Sequence, residues 1–328
     1  MARVSVIIVN WNGRHLVEDC LPSVLSQSYD DYEVVILDNG STDGSVDWVQ
    51  VHFPSVRLIC CDRNLGFAAG NNRAVSETQS DYVALLNNDA APSPDWLQRL
   101  VEVMESSWSI GMCASKMVRM DDPEVMDACG IRIDRAGIGW NRYSGERDRV
   151  DETEPYQVLG PCAGAALYRR SMLDQVGLFD EDYFIYYEDV DLAWRAQRRG
   201  WRCLYVPQAR VVHRHSSTVK EGSSWKGYLL GRNKVWTVVK NYAWPDWLTN
   251  LAFILAYDVA AWSYALLHGD VNPLRGRLAA LGSLSKALGK RRAIQSIGER
   301  VHLDPLANPL HMWRVQREFR KQLARQIG

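Results

Sequence analysis

Excess charge of either sign is what this sequence lacks most. Its 328 residues carry 38 Lys+Arg against 39 Asp+Glu, a formal net charge of −1, so nothing in the balance points to a nucleic-acid partner. Paired cysteine spacing is missing too. The seven cysteines, Cys20, Cys60, Cys61, Cys113, Cys129, Cys162 and Cys203, form no CxxC pair and no metal-type spacing. An odd number scattered through apolar segments reads as buried thiols in a reducing cytosol. The opening MARVSVIIVNWNG is apolar for too short a run, and is broken too early by Asn10 and Asn12, to serve as a secretory signal. No repeat or low-complexity tract occurs. No Gly-rich basic loop follows the first strand to clamp a triphosphate, which counts against a nucleotidyltransferase.

What is present is core-forming residue and uneven charge. Hydrophobic residues make up 47% of the chain, ample for one large domain or two. From Arg275 to Gly328 there are 12 Lys+Arg and 3 Asp+Glu, a charge of +9, which leaves −10 on the rest of the chain. A basic tail behind an acidic body points to an anionic partner such as a membrane surface. Within it Trp313, Phe319, Leu323 and Ile327 recur near helical spacing among Arg314, Arg317, Arg320, Lys321 and Arg325. Such a helix suits either an anionic bilayer or its own domain. The run Trp247–Leu267 is long and apolar but carries Asn250 and Asp258, and reads as a core or interfacial helix before a membrane span.

The first half alternates strand and helix patterns. Val4–Val9, Glu33–Asp38, Val56–Cys61 and Tyr82–Asn87 read as strands covered on both faces. Helices are expected at His15–Ser26, Gly44–His52 and Gly70–Ser76, and later at Trp225–Lys240. This β-α-β-α order predicts a doubly wound, mostly parallel, Rossmann-like α/β sheet with its ligand beyond the carboxyl ends of the strands. The strands run into NWNG, DNGSTDGS, DRNLGFAAGNN and NNDA, and four such endings on one rim favour a binding site over ordinary turn chemistry. The polar stretch 117–158 is expected to form a small β-insertion or a lid. Gly160–Arg170, small and apolar, fits close backbone packing near a ligand.

Rim residues suggest their chemistry. Asp89, at the end of an apolar strand, suits a hard divalent cation, Mg²⁺ or Mn²⁺. Asp38 offers acceptor-only oxygens to a base imide such as that of uracil or thymine. The Asn and Gly residues of DRNLGFAAGNN would let backbone N–H groups approach phosphates at a helix N-terminus. In FIYYEDVDLAWRAQRRGW (Phe184–Trp201), Glu188, Asp189 and Asp191 fall within four positions, where mutual repulsion would raise a base's pKa. They would equally suit the first turn of a helix.

Six stretches, VSVIIVNWNG, VVILDNGSTDGS, NLGFAAGNN, LLNNDA, GLFDEDYFIYYEDVDLAWRAQRRGW and VVHRHSST, in this order resemble inverting glycosyltransferases of family 2. The likeness is greatest to the rhamnosyltransferase-like bacterial members that build surface polysaccharides. The resemblance runs from Val4 to Ser217 and implies a GT-A fold over 1–220, with a helical, basic extension over 221–328. It implies that Asp38 binds the base and that Asn10, Asn12, Asn64, Gly66, Asn72 and Asn88 line the donor site. Asp89 would hold the metal and Asp189 would be the catalytic base. His213 falls where many members place a further metal or diphosphate ligand, with His215 its rival. Tyr187, Glu188 and Asp191 would face the acceptor. The donor would be a UDP or dTDP sugar and the acceptor a glycan or lipid-linked glycan. The enzyme would lie in the cytoplasm at the inner membrane face, and homo-oligomer formation is left open. Two departures stand out. The DxD slot reads Asn87-Asn88-Asp89, which weakens the metal site, and the QxxRW motif of processive synthases is absent. A catalytically inactive, glycan-binding relative is the alternative that the first departure raises.

Overall fold

Aliphatic runs that alternate with amphipathic helices in the sequence become the middle of one large sheet. The computed structural model describes residues 2–148, 150–214, 223–267, 269–295 and 301–304. The strands are β1 (Val4–Asn10), β2 (Tyr32–Asp38), β3 (Arg57–Cys60), β4 (Tyr82–Leu86), β5 (Ala90–Pro92), β6 (Ile110–Arg119), β7 (Met126–Ala128), β8 (Ile131–Ile133), β9 (Gly139–Asn141), β10 (Tyr156–Val158), β11 (Ala165–Arg169) and β12 (Arg202–His213). The helices are α1 (Arg14–Leu25), α2 (Ser45–His52), α3 (Gly66–Ser76), α4 (Trp96–Glu105), α5 (Arg170–Val176), α6 (Glu188–Arg198), α7 (Ser224–Asn241), α8 (Trp244–Leu267), α9 (Asn272–Gly282) and α10 (Leu284–Gln295).

The main sheet runs β10-β12-β6-β11-β4-β1-β2-β3, with β5 beside β12 and β7 beside β6. The block β4-β1-β2-β3 is parallel, as its two-sided apolar strands require, and β6 and β12 are parallel to each other. β11 joins these parts antiparallel to both neighbours, so the sheet is mixed. The second half of the small, apolar Gly160–Arg170 stretch forms this central strand. Val4, Ile8, Val34 and Ile36 pack on the α1 and α4 side, and Ile7, Val35, Leu37 and Leu85 on the other, all nearly free of solvent. The polar 117–158 stretch forms the expected β-insertion of short strands, with β8 and β9 as a separate hairpin.

α3 begins at Gly66, four residues before the start that periodicity predicts. The cause is local: Gly66 takes φ +86°, and the Asn64 side-chain oxygen accepts its N–H at 2.8 Å. His215 and the basic helix pattern around Trp313–Ile327 lie outside the described residues.

Candidate active site

β1 and β2 end in register, with Asn10 paired to Asp38, and this sets the rim. Asn10 is buried and its amide is fully engaged. It donates to Asp38 Oδ1 (3.3 Å) and Ser45 Oγ (3.0 Å) and accepts from Asn88 Nδ2 (2.9 Å). Gly13 has to be glycine, because a Cβ there would collide with Asn88 Nδ2 and reach Asn10 Oδ1 at 2.7 Å. Asp38 Oδ2 accepts the Ser41 N–H at 2.8 Å, and Asn12 Oδ1 accepts the Thr42 N–H at 2.8 Å. Asn10, Asn12, Asp38 and Asn88 are therefore brought together as a network that shapes the DNGSTDGS loop. Each Asp38 oxygen keeps lone-pair capacity for a further donor.

Asn39 is a residue that sequence reasoning missed. It is buried, it donates to Asn64 Oδ1 (3.0 Å) and the Gly66 carbonyl (3.1 Å), and it accepts the Leu65 N–H (2.9 Å). The α3 N-terminus, expected to receive phosphates, is taken by the chain itself. Phe184 O accepts the Ala68 N–H at 3.1 Å, and a Cβ on Gly66 would meet the Phe184 ring at 2.5 Å. Asn72 also has a role other than the one expected. Its amide clamps the Phe179 carbonyl (2.9 Å), the Phe179 N–H (3.0 Å) and Glu181 (3.0 Å).

β4 delivers Asp89 and β12 delivers His213 to the same spot. His213 Nε2 lies 3.0 Å from Asp89 Oδ1 and 3.2 Å from Asn87 Nδ2, and Nδ1 lies 2.6 Å from Asp127 Oδ2. Burial alone would lower the imidazole pKa, but contacts with Asp127 and Asp89 raise it to about 10. Asp127, hidden in the polar insertion, was not anticipated.

Among the described residues, no set of three or more His, Cys, Asp or Glu side chains is placed to hold a metal by itself. The pair nonetheless fits a hard cation that keeps donor oxygens and waters. The 3.0 Å between His213 Nε2 and Asp89 Oδ1 is that of an ion pair, so a cation would have to displace the imidazole proton to take both ligands. Asp127 is placed to hold Nδ1–H, the usual outer partner of a ligating histidine.

The acidic stretch opens α6 after an unusual approach. Phe184, Tyr186 and Tyr187 all have φ near +70° (67°, 71° and 70°), a region that costs an aromatic residue roughly 1–3 kcal/mol. α7 supplies the compensation. Asn233, fully buried, donates to the carbonyls of Tyr183 (3.1 Å), Ile185 (2.9 Å) and Tyr186 (2.7 Å). Arg232 reaches the Asp182 and Tyr183 carbonyls at 3.0 and 2.8 Å. α7 is thus built into the catalytic unit.

The three acids have separate fates. Asp189 alone keeps partial access to solvent, and its oxygens accept from Val190 N (2.8 Å) and Ala163 N (3.5 Å). Burial raises its pKa to about 6, against the lowering effect of those N–H groups. The expected cause, repulsion from Glu188 and Asp191, is therefore replaced by desolvation. Glu188 is buried with Oε2 unpartnered, and burial together with Asp189 pushes its carboxyl well above the usual range. Asp191 does not face an acceptor. It has no exposed surface and is held by Lys240 (2.7 Å), Arg195 (2.9 Å) and Asn241 (2.9 Å). Despite burial, the two cations and the Asn241 amide keep its pKa far below normal. Tyr187 is likewise turned inward, accepting the Gly139 N–H at 3.1 Å. Phe184, Trp225 and Tyr228 form an aromatic cluster where α7 meets the approach to α6, with Trp225 stacked on Tyr228 at 5.5 Å and half exposed.

Comparison with known proteins bears on the family and the fold. The family model for Glycosyl transferase family 2 matches residues 5–177. An N-acetylglucosaminyl-diphospho-decaprenol L-rhamnosyltransferase of Mycobacterium tuberculosis is 28% identical over 302 residues, covering 83% of this chain and 95% of that protein. The O-antigen biosynthesis protein RfbC of Myxococcus xanthus is 24% identical over 248 residues, 70% of this chain and 19% of that one. Among solved structures, the mannosyltransferase PcManGT from Pyrobaculum calidifontis, in complex with GDP-Man and Mn²⁺, has a TM-score of 0.52 at 21% identity, covering 89% of this chain and 85% of that chain. GalNAc-T7 with UDP, GalNAc and Mn²⁺ has a TM-score of 0.56 at 16% identity, covering 75% and 53%. These structural likenesses establish the GT-A fold. The chain belongs to glycosyl transferase family 2 and is a glycosyltransferase that uses sugar-nucleotide donors.

Proposed function

We propose that this enzyme transfers a sugar, with rhamnose the leading candidate, from a dTDP or UDP donor to a hydroxyl of a glycan or lipid-linked glycan, with inversion. The observation that carries this reading is Asp189: the one partly exposed carboxylate of the three, its pKa raised to about 6 by burial, beside a Glu188 whose carboxyl is pushed well above the usual range and an Asp191 held by cations. Asp189 takes the proton of the acceptor hydroxyl as its oxygen attacks the anomeric carbon opposite the diphosphate. Asp38 accepts the base imide, within the loop that Asn10, Asn12 and Asn88 shape. Asp89 and His213 would hold a divalent cation, which supplies charge compensation for the departing diphosphate. The rhamnosyltransferase relative, whose name specifies a lipid-linked acceptor, supports a lipid-linked acceptor here, and such an acceptor would bring the site of action to a membrane surface.

A thermal-shift panel of UDP, dTDP and GDP, with and without Mn²⁺ or Mg²⁺, tests the donor assignment. A ligand that binds only the native state raises its melting temperature. The expected result is a shift with UDP or dTDP that the metal enlarges; no shift with any nucleotide contradicts the reading. The pH profile tests the base. Protonated Asp189 cannot accept a proton, so kcat/KM should climb with pH through about 6 and then level off. A profile flat from pH 5 to 8 would remove Asp189 from that role.

A further inference from the structure

α8 is built with its polar side inward. Asp258 is bound by Lys234 and Arg277, each at 2.9 Å, and Asn250 accepts from Arg135 at 2.7 Å; Asp246 is also buried. The outward arc holds no charged residue, and Trp244, Leu248, Leu251, Leu255, Val259 and Trp262 follow one another along it at helical spacing. Leu248 is 79% exposed and Leu255 55%. A helix facing water shows the opposite arrangement.

We propose that this outward face is a lipid-docking surface, on which the enzyme lies in the plane of an anionic bilayer. Three observations favour lipid over a second protein copy or a membrane crossing. The following helices α9 and α10 hold six Lys+Arg and no Asp or Glu, with Arg275, Lys286 and Arg292 exposed, so the charge beside the apolar face suits acidic headgroups. Trp244 and Trp262 sit on the apolar arc, and indoles favour the headgroup boundary. The helix is long and apolar enough to cross a membrane. Its other side, however, is tied to the soluble fold through Arg135 on the β8–β9 connection, Lys234 on α7 and Arg277 on α9. A crossing would drag those cations into hydrocarbon, whereas lying flat leaves every pair intact. The apolar face points to α8 rather than to the terminal stretch beyond residue 304 alone. This inference rests only on the membrane-peripheral part of the proposed function, not on its sugar chemistry.

Vesicle flotation of the full chain tests it, with phosphatidylcholine alone and with added phosphatidylglycerol. The wild type should float with the anionic vesicles and be released by alkaline carbonate. The double variant Leu248→Asp/Leu255→Asp should lose at least about tenfold in the bound fraction. Both positions are exposed, and an unchanged melting temperature shows that the variant folds. Equal flotation of variant and wild type overturns the proposal, as does resistance to carbonate. So does a wild-type dimer that ignores vesicles and falls apart in the variant. Flotation without sugar transfer would count against the proposed function alone, and transfer to a soluble acceptor without flotation against this surface alone.

Discussion

Asp189→Asn should lower kcat by about 10²–10⁴-fold, the usual worth of a positioned general base, while the donor nucleotide binds within about twofold of wild type. The asparagine keeps the shape of the carboxylate and can still accept from the Val190 N–H, so α6 should start unchanged. It cannot take the acceptor proton. Steady-state kinetics with nucleotide affinity measured separately checks both halves. Glu188→Gln is the informative contrast, because burial and the neighbouring Asp189 favour the protonated form of Glu188 and the amide keeps its shape. A milder loss there, roughly tenfold or less, separates the base from its neighbour. Equal losses would mean that the acids work as one unit.

Lys240→Met should destabilise the fold by about 3–5 kcal/mol in chemical denaturation, the scale expected when one partner of a buried ion pair is removed. Lys240 is almost completely buried and lies 2.5 Å from Asp180 and 2.7 Å from Asp191. Both carboxylates are desolvated, and both are held below their ordinary pKa chiefly by Lys240. Their contribution to stability is present above the unfolded carboxylate pKa and is lost as pH falls through the lowered folded values. The gap between variant and wild type should therefore narrow on acidification, because protonation of Asp180 and Asp191 removes the unpaired charge that the variant leaves buried. Adding Asp191→Asn should recover part of the loss, since the unpaired charge disappears. Strict additivity of the two substitutions would argue that Lys240 and Asp191 do not interact.

The rim of the sheet was readable in the sequence because its strands are apolar on both faces and stop at polar turn residues. β1 to β4 all fall within one residue of the expected spans at each end. The division of labour among the acids was only partly readable. Asp191 lies two positions from Asp189, about 200° around a helix, so the two were bound to face different surroundings. What could not be read was that Lys240 would be waiting on the far side. In SWKGYLLGRNKVWTVVKN, polar residues on nearly every turn look like a solvated face, yet Asn233, Lys234, Lys240 and Asn241 are all buried. Their partners in other elements are 24 to 60 positions away, which local periodicity cannot report. Asp127 escaped for the same reason, since its contact with His213 spans 86 positions. The apolar run at α8 was visible, but that its carboxylates and amide turn inward is a property of the fold.

The central claim is inverting transfer with Asp189 as base, and the configuration at the anomeric carbon tests it most directly. Water can replace the acceptor, so the donor identified by thermal shift can be hydrolysed slowly and followed by proton NMR before the free sugar mutarotates. The account predicts that the first sugar released has the anomeric configuration opposite to that of the donor, and that Asp189→Asn releases almost none. First-formed sugar with the donor's own configuration would contradict it.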